Sequence, residues 1–486
     1  MSQFSRRRFV ELMGATVGGM ALPEDSVGQP KISPKSGEDL VGRRPNVIVM
    51  ICDDLGSGDL GCYGSDLSTP NLNHMASEGV RFTRFDTVHP ICSASRGALL
   101  TGRYSTRTGT KPVYFPQDTD GTNLDEVMLA NLLHAQRYRS MCVGKWHLGS
   151  MPEYLPTSRG FDSYFGVPYS VDMHPLPMIR DKTVIEENAD RALLTSRYTE
   201  EAIRFIESSS TDPFFLYLAY SYPHIPINAS PRFKGRSKQG IYGDAVEEID
   251  WSVGEIVQTL RRRSLDENTL MIFTGDHGPW FQGSPGTRRG RKGTTYEGGC
   301  RVPFLARWTG VIPAGHTCDE WASNLDVLPT VTSICGASLP SKPVDGLDIS
   351  GLLTGGKGPE RHEPVLYFSG MEAGLNLQCA RQGGWKVRIA QYTKDPYVLG
   401  TPPGENLLLT KPELYYLNED PGESYDVADL HPGIVSQMIQ QVDQMIPTFP
   451  QKVIETYNNL KKNPDSLSTP TGAPARPRIT SLHQSN

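Results

Sequence analysis

Three apolar runs in the sequence end in groups able to do chemistry. Val47-Ile48-Val49-Met50-Ile51-Cys52 stops at Asp53-Asp54, Ser140–Trp146 carries Lys145 with His147 beside it, and Leu270-Met271-Ile272-Phe273 leads to Asp276-His277. Ligands of open α/β sheets bind beyond the carboxyl ends of the strands, so these groups are expected to meet at one site. Adjacent carboxylates repel and call for a cation between them. Asp53, Asp54 and Asp276 supply the hard oxygens that calcium or magnesium prefers. A lone Asp-Asp pair serves as readily in a turn or helix cap, but a second acidic strand end weighs against that use. His277 is by type a poor calcium ligand.

A second segment, Cys92-Ser93-Ala94-Ser95-Arg96-Gly97-Ala98-Leu99-Leu100-Thr101-Gly102-Arg103, reads as helical from Ser93 to Leu100. Residue 92 then lies at a helix N-terminus, where the dipole favours a developing anion. Taken alone, a cysteine there is more often a packed thiol than a reactive one.

These groups need a scaffold, and the pattern predicts a doubly wound, mostly parallel α/β sheet. Uninterrupted apolar strands such as Val47–Cys52 and Phe214–Ala219 are those of a sheet covered on both faces. Helices are expected between them: one opening at Thr69 as N-cap with Pro70 next, one around Leu124–Gln136, and a long amphipathic one from Tyr242 to Leu260. Lys145 and His147, two apart on a strand, would share one face. After about residue 360 the rhythm changes to short β-like segments, Val365–Ser369 and Trp385–Ile389, and a helix near Ile434–Met445. The expected division is a catalytic domain over 45–360, a smaller C-terminal α+β subdomain with an antiparallel sheet over 361–462, and a disordered tail over 463–486.

Composition narrows the function. The 486 residues are 37% hydrophobic and 21% charged with a formal charge of -6, an ordinary globular balance without the basic patch of a nucleic-acid binder. The eight cysteines include no CxxC pair and no zinc spacing; export would permit disulfides, with a pairing that spacing does not assign. Ser5-Arg6-Arg7-Arg8-Phe9-Val10 resembles a twin-arginine export signal, giving a signal segment over 1–28, a linker over 29–44, and a periplasmic or secreted protein. The stretch from Phe9 to Leu22 is too short and polar for stable membrane insertion.

The Cys92–Arg103 segment resembles the signature of the type I sulfatases, Cys-x-Pro-Ser-Arg followed by Thr-Gly-Arg. The resemblance continues through Pro45–Asp54, Thr69–Leu72, Gly144-Lys145-Trp146-His147-Leu148-Gly149, Tyr222-Pro223-His224, Thr274–Gly278, Lys292–Gly299 and Leu414–Glu423, an ordered match far more specific than one motif. It implies an alkaline-phosphatase-like fold and hydrolysis of sulfate monoesters. It also implies a maturation enzyme that converts Cys92 to formylglycine, and one calcium ion held by Asp53, Asp54, residue 92, Asp276 and His277. By the same resemblance Arg96 steadies the hydrated aldehyde, Lys145 and Lys292 bind sulfate, His147 orients and deprotonates the hydrate, and His224 contacts the substrate and protonates the leaving alcohol. The substrate would be a sulfated small molecule or glycan, with Tyr154–Lys182 (Tyr164, Phe165, Tyr169, His174, Arg180) and the stretch Ser369–Gln378 walling the leaving-group side. Ala94 departs from the family pattern, standing where proline favours the extended form that the maturation enzyme reads. Two other readings stay open: a phosphate or phosphonate ester hydrolase of the same superfamily, and an inactive glycan-binding pseudo-sulfatase if Cys92 is not converted.

Overall fold

Fourteen strands can be named in chain order among the described residues. The first ten are β1 (Asn46–Cys52), β2 (Val80–Asp86), β3 (Arg139–Lys145), β4 (Ser163–Val167), β5 (Met178–Arg180), β6 (Thr183–Glu186), β7 (Phe214–Ala219), β8 (Thr269–Gly275), β9 (Phe304–Arg307) and β10 (His316–Ser323). They form one sheet in the order β10-β2-β9-β8-β1-β7-β3-β4-β5-β6. The computed structural model describes residues 40–209, 212–370, 375–392 and 406–462. The signal segment, most of the linker and the 463–486 tail lie outside them, and Ser369–Gln378 is described only in part.

The central run β8-β1-β7-β3-β4 is parallel throughout; β9 and the β5–β6 hairpin are antiparallel additions. Every residue of β1, β7 and β8 is buried. Alternation divides β1 between two cores, Val47, Val49 and Ile51 on one face and Ile48, Met50 and Cys52 on the other. The helix Cys92–Thr101 supplies Leu99 and Leu100 to the first core. The long helix Gly240–Arg262 supplies Val246, Ile249 and Val253 to the second.

The C-terminal part is a separate antiparallel sheet of β11 (Val365–Ser369), β12 (Asn376–Gln382), β13 (Trp385–Tyr392) and β14 (Asn406–Tyr416), in sequence order. Two helices, Pro432–Met445 and Gln451–Lys462, contribute to its core through Met438, Val442, Val453 and Tyr457; the sequence reading expected one. Among the described residues no helix is long and apolar enough to cross a membrane. All eight cysteines are free thiols.

Three local expectations need correction. The helix expected around Leu124–Gln136 begins only at Leu129, because Arg159 draws the carbonyls of Asn123 and Glu126 to itself. Lys145 closes β3, and His147 lies beyond the strand in a left-handed conformation at φ 60. The shared strand face predicted for the two is therefore absent. Thr69 holds the N-cap position of the helix Pro70–Ser77 but makes no capping bond; its hydroxyl accepts from Gly61 N instead. The cap comes from Asp250, whose carboxylate accepts from Asn71 N at 3.2 Å and Leu72 N at 2.8 Å. Asp250→Ala is expected to lower stability by about 1–2 kcal/mol, read as a shift in the urea midpoint, whereas Thr69→Ala should cost less than half of that.

Candidate active site

Four adjacent parallel strands, β8, β1, β7 and β3, deliver the candidate residues at their carboxyl ends. Asp53 and Asp54 follow β1, Asp276 and His277 follow β8, Lys145 ends β3, and His224 lies in the chain leaving β7. The backbone ties these ends together: Asp276 N donates to Cys52 O at 2.9 Å and Asp53 N to Tyr222 O at 3.2 Å. Gly144 allows β3 its close approach to β7, since a Cβ there would stand 1.9 Å from Ala219 O. Asp54 adopts φ 68, a left-handed conformation that Asp tolerates better than most side chains.

All ten residues singled out by the sequence are buried: Asp53, Asp54, Cys92, Arg96, Lys145, His147, His224, Asp276, His277 and Lys292. Nine are linked by short contacts. Lys145 Nζ lies 2.5 Å from Asp53 Oδ2 and Lys292 Nζ 2.7 Å from Asp54 Oδ1. Arg96 donates through Nε to Asp276 Oδ2 at 3.1 Å and through a terminal nitrogen to Lys145 O at 3.1 Å. Cys92 Sγ stands 3.5 Å from Asp53 Oδ1 and 3.3 Å from His277 Nε2. His224 Nε2 is 3.8 Å from Asp54 Oδ2. Cys92 begins its helix with Ile91 at the N-cap, so the dipole placement expected from the sequence holds.

The tenth residue, His147, contacts a residue the sequence reading had not singled out. Its Nε2 lies 3.0 Å from Tyr114 O. A carbonyl only accepts, so Nε2 carries the proton and the buried, unpartnered Nδ1 keeps its lone pair. Burial, then Lys145 and Arg96, hold its pKa well below the ordinary imidazole value, which leaves it neutral. His277 is the mirror case: Nδ1 donates to Gly278 O at 3.0 Å, leaving the Nε2 lone pair toward the carboxylates. Its pKa is lowered too, by burial above all and against the pull of Asp276.

Three carboxylates, Asp53, Asp54 and Asp276, and three basic side chains, Arg96, Lys145 and Lys292, face one another in the cluster. Burial opposes ionisation of Asp53, but Lys145, then His224, Arg96 and Lys292 outweigh it and hold that carboxyl well below its usual range. Burial first and Asp53 second push the Cys92 thiol up to about 12; as cysteine the residue is a neutral thiol, not a thiolate nucleophile. Ligand atoms of Asp53, Asp54, Cys92 and His224, and likewise of Asp53, Cys92, Asp276 and His277, lie within 4.8 Å of one another. Asp54 Oδ2 is buried without a hydrogen-bond partner. Converging carboxylate oxygens, one of them unsatisfied, fit a hard divalent cation held by Asp53, Asp54 and Asp276, with His277 Nε2 at hand. His224, expected to bind substrate and protonate the leaving alcohol but not to be a metal ligand, also reaches this cluster.

Ser95 and Asn324 escaped the sequence reading. Ser95 Oγ donates to Asp276 O, fastening the Cys92 helix to the end of β8, and Asn324 Nδ2 donates to Ser95 O at 3.1 Å, tying the same helix to the chain after β10. Ser95 stood inside the signature segment; nothing in the sequence marks Asn324. The expected leaving-group wall is corrected in part. Tyr164, Phe165 and Tyr169 belong to the two cores, and Arg180 pairs with Glu201 at 2.7 Å. The three aromatic side chains fill the sheet's own interior and are not free to meet a substrate, whereas Arg180 stays exposed.

The model of the sulfatase family matches residues 45–337. The chain is 37% identical over 448 residues to arylsulfatase A of Homo sapiens, covering 83% of this chain and 87% of that protein. Against N-acetylgalactosamine-6-sulfatase of Sus scrofa the identity is 37% over 462 residues, covering 84% and 87%. The crystal structure of the PsFucS1 sulfatase from Pseudoalteromonas sp. superposes with a TM-score of 0.75 at 28% identity, over 87% of this chain and 93% of that one. With the parallel sheet, the separate antiparallel sheet and the matched family region in hand, the chain belongs to the sulfatase family, as a type I sulfatase of the alkaline phosphatase superfamily.

Proposed function

We propose that this sulfatase hydrolyses sulfate monoesters of a carbohydrate, with residue 92 converted to formylglycine and calcium as the cation. One observation carries the reading: three buried carboxylates and three buried cations converge on residue 92 at a helix N-terminus. The carbohydrate follows from the similarity to an enzyme named N-acetylgalactosamine-6-sulfatase. When in place, the hydrated aldehyde supplies the two hydroxyls needed for attack on sulfur and later release of sulfate, and the cation supplies a Lewis acid.

The chain's own residues do the rest. The three carboxylates balance the charges of Arg96, Lys145 and Lys292, so a bound dication leaves a net positive site suited to an anionic ester. Lys145 and Lys292, already held on Asp53 and Asp54, bind the sulfate oxygens. Arg96 fixes residue 92 one helical turn away and stays charged throughout. His147 accepts a proton at Nδ1, the nitrogen left open by its bond to Tyr114. His224, whose Nδ1 is 2.5 Å from Ile225 O, offers Nε2 to protonate the leaving alcohol. Burial excludes bulk water from these transfers.

Export of the folded chain by the twin-arginine route, and a maturation enzyme as its partner, complete the proposal. The deciding experiment compares release of sulfate from N-acetylgalactosamine 6-sulfate and nitrophenyl sulfate with release of phosphate from nitrophenyl phosphate. Sulfate release at least about a hundredfold faster is expected; faster phosphate release would favour the ester-hydrolase alternative. Chelation should abolish activity and calcium restore it. Asp54→Ala should weaken calcium binding at least about tenfold by calorimetry and lower kcat about a thousandfold.

A further inference from the structure

The chain between β8 and Lys292 is clamped to the loop after β1. Asp59 accepts hydrogen bonds from Ser284 N at 2.9 Å, Gly56 N at 2.7 Å and Tyr242 OH at 2.5 Å, and Gly58 N donates to Ser284 O at 2.9 Å. The loops meet so closely that a Cβ on Gly56 would stand 2.1 Å from Ser284 O. Beside this clamp lies a cavity of about 430 Å³, lined among others by Trp280, Phe281, Arg288, Arg291 and Lys292, within the size range of small-molecule sites.

Its lining holds three cations and no carboxylate. Lys292 is paired with Asp54. Arg288 and Arg291 enter no ion pair among the described residues; Arg288 donates to Ser57 Oγ at 3.1 Å, and Arg291 to the carbonyls of Trp280 at 2.7 Å and Gly283 at 2.6 Å. Arg288 Nε is buried and unpartnered. Asp59 acts electrostatically on Arg291, and Glu297 and Asp86 on Arg288, but none closes an ion pair. Two guanidinium groups facing a preformed hollow without a direct carboxylate partner favour an anion whose oxygens can meet their planar forks. Phe281, 59% exposed and edge-on to Trp280 at 4.9 Å, offers an aromatic face at the rim.

We propose that this cavity receives a second anionic group, a sulfate or a carboxylate on the sugar next to the one being desulfated. Arg288 and Arg291 bind it, and Phe281 lies against the ring. The preferred substrate is then a polyanionic glycan; this rests on the carbohydrate reading above and gives it a sequence requirement.

The test measures binding to the Cys92→Ala chain, which cannot turn over, by calorimetry. The probes are three disaccharides of N-acetylgalactosamine 6-sulfate whose neighbouring sugar is neutral, carboxylated or sulfated. At least one anionic neighbour should bind about tenfold more tightly than the neutral one, and which one does so identifies the group. Adding R288Q and R291Q should remove that gain while affinity for the neutral probe stays within about twofold; Phe281→Ala should weaken all three probes alike. Equal affinity for all three probes, or a gain that survives the double substitution, would overturn the proposal. If the parent protein hydrolyses no sulfate ester but the gain is present, the cavity's assignment stands and the proposed function fails.

Discussion

Cys92→Ser is expected to produce one turnover and then stop. Serine has a single hydroxyl, so its attack on sulfur forms a serine sulfate ester and releases the alcohol, with the proton passing to the leaving oxygen. No second hydroxyl remains to expel sulfate, and water must attack a site whose buried walls exclude it. Rapid-mixing assays should give a burst of about one alcohol per active site, then a steady rate reduced at least about a thousandfold. The stalled protein should be heavier by about 80 Da, the mass of the transferred SO3 group. Steady turnover without a burst would remove residue 92 from the nucleophile's position.

Lys386→Met should cost about 3–5 kcal/mol of stability, more than any other single change considered. Lys386 on β13 lies 2.9 Å from Glu297 Oε1 and 3.2 Å from Glu423 Oε1. Arg301 and Arg381 bridge from there to Asp86 at the end of β2, at 2.6 and 2.7 Å, and Tyr367 OH and Trp321 Nε1 complete the Asp86 shell at 2.9 and 2.8 Å. Three acids and three bases thus balance in a buried junction between the two sheets. Removing one cation strands a buried carboxylate, and the segment that carries Glu297 also carries Lys292, so activity should fall with stability. Adding Glu423→Leu to Lys386→Met restores the balance and should recover part of the loss in a double-mutant cycle. Burial works against the charged Glu297, but Lys386, Arg301 and Arg381 prevail and hold its carboxyl well below the usual range. A depressed carboxyl stabilises the fold at pH above its unfolded value of about 4.3, and that contribution fades as pH falls below it. Glu297→Gln should therefore flatten the acid side of the stability profile and leave its neutral plateau flat. A loss under about 1 kcal/mol for Lys386→Met would mean that the junction is not dry.

What could be read in the sequence follows from the range of each interaction. Val47–Cys52, Phe214–Ala219 and Leu270–Phe273 announce buried parallel strands because a covered strand needs apolar residues at every position, and all three are fully buried. The carboxyl ends of such strands locate a site, which is how Asp53, Asp54, Lys145 and Asp276 could be found before any coordinates. Composition says nothing of the partner that caps a helix: Asp250 is distant in sequence from the Asn71 it holds. The left-handed turn at His147 depends on its anchoring to Tyr114. Tyr164 and Phe165 look like a binding wall in one dimension because aromatic residues serve core and rim equally well. The charges of the inter-sheet junction were invisible for a similar reason: each reads singly as a solvated group, and only the fold pairs them.

Everything chemical turns on the state of residue 92. The measurement is the mass of the tryptic peptide Phe85–Arg96, from protein made with a maturation enzyme and from the native host. Conversion of Cys92 to formylglycine should lower that mass by about 18 Da and give a product that reacts with an aldehyde probe. An unchanged cysteine mass in both preparations would contradict the mechanism and leave a sulfatase fold that binds sulfated glycans without cleaving them.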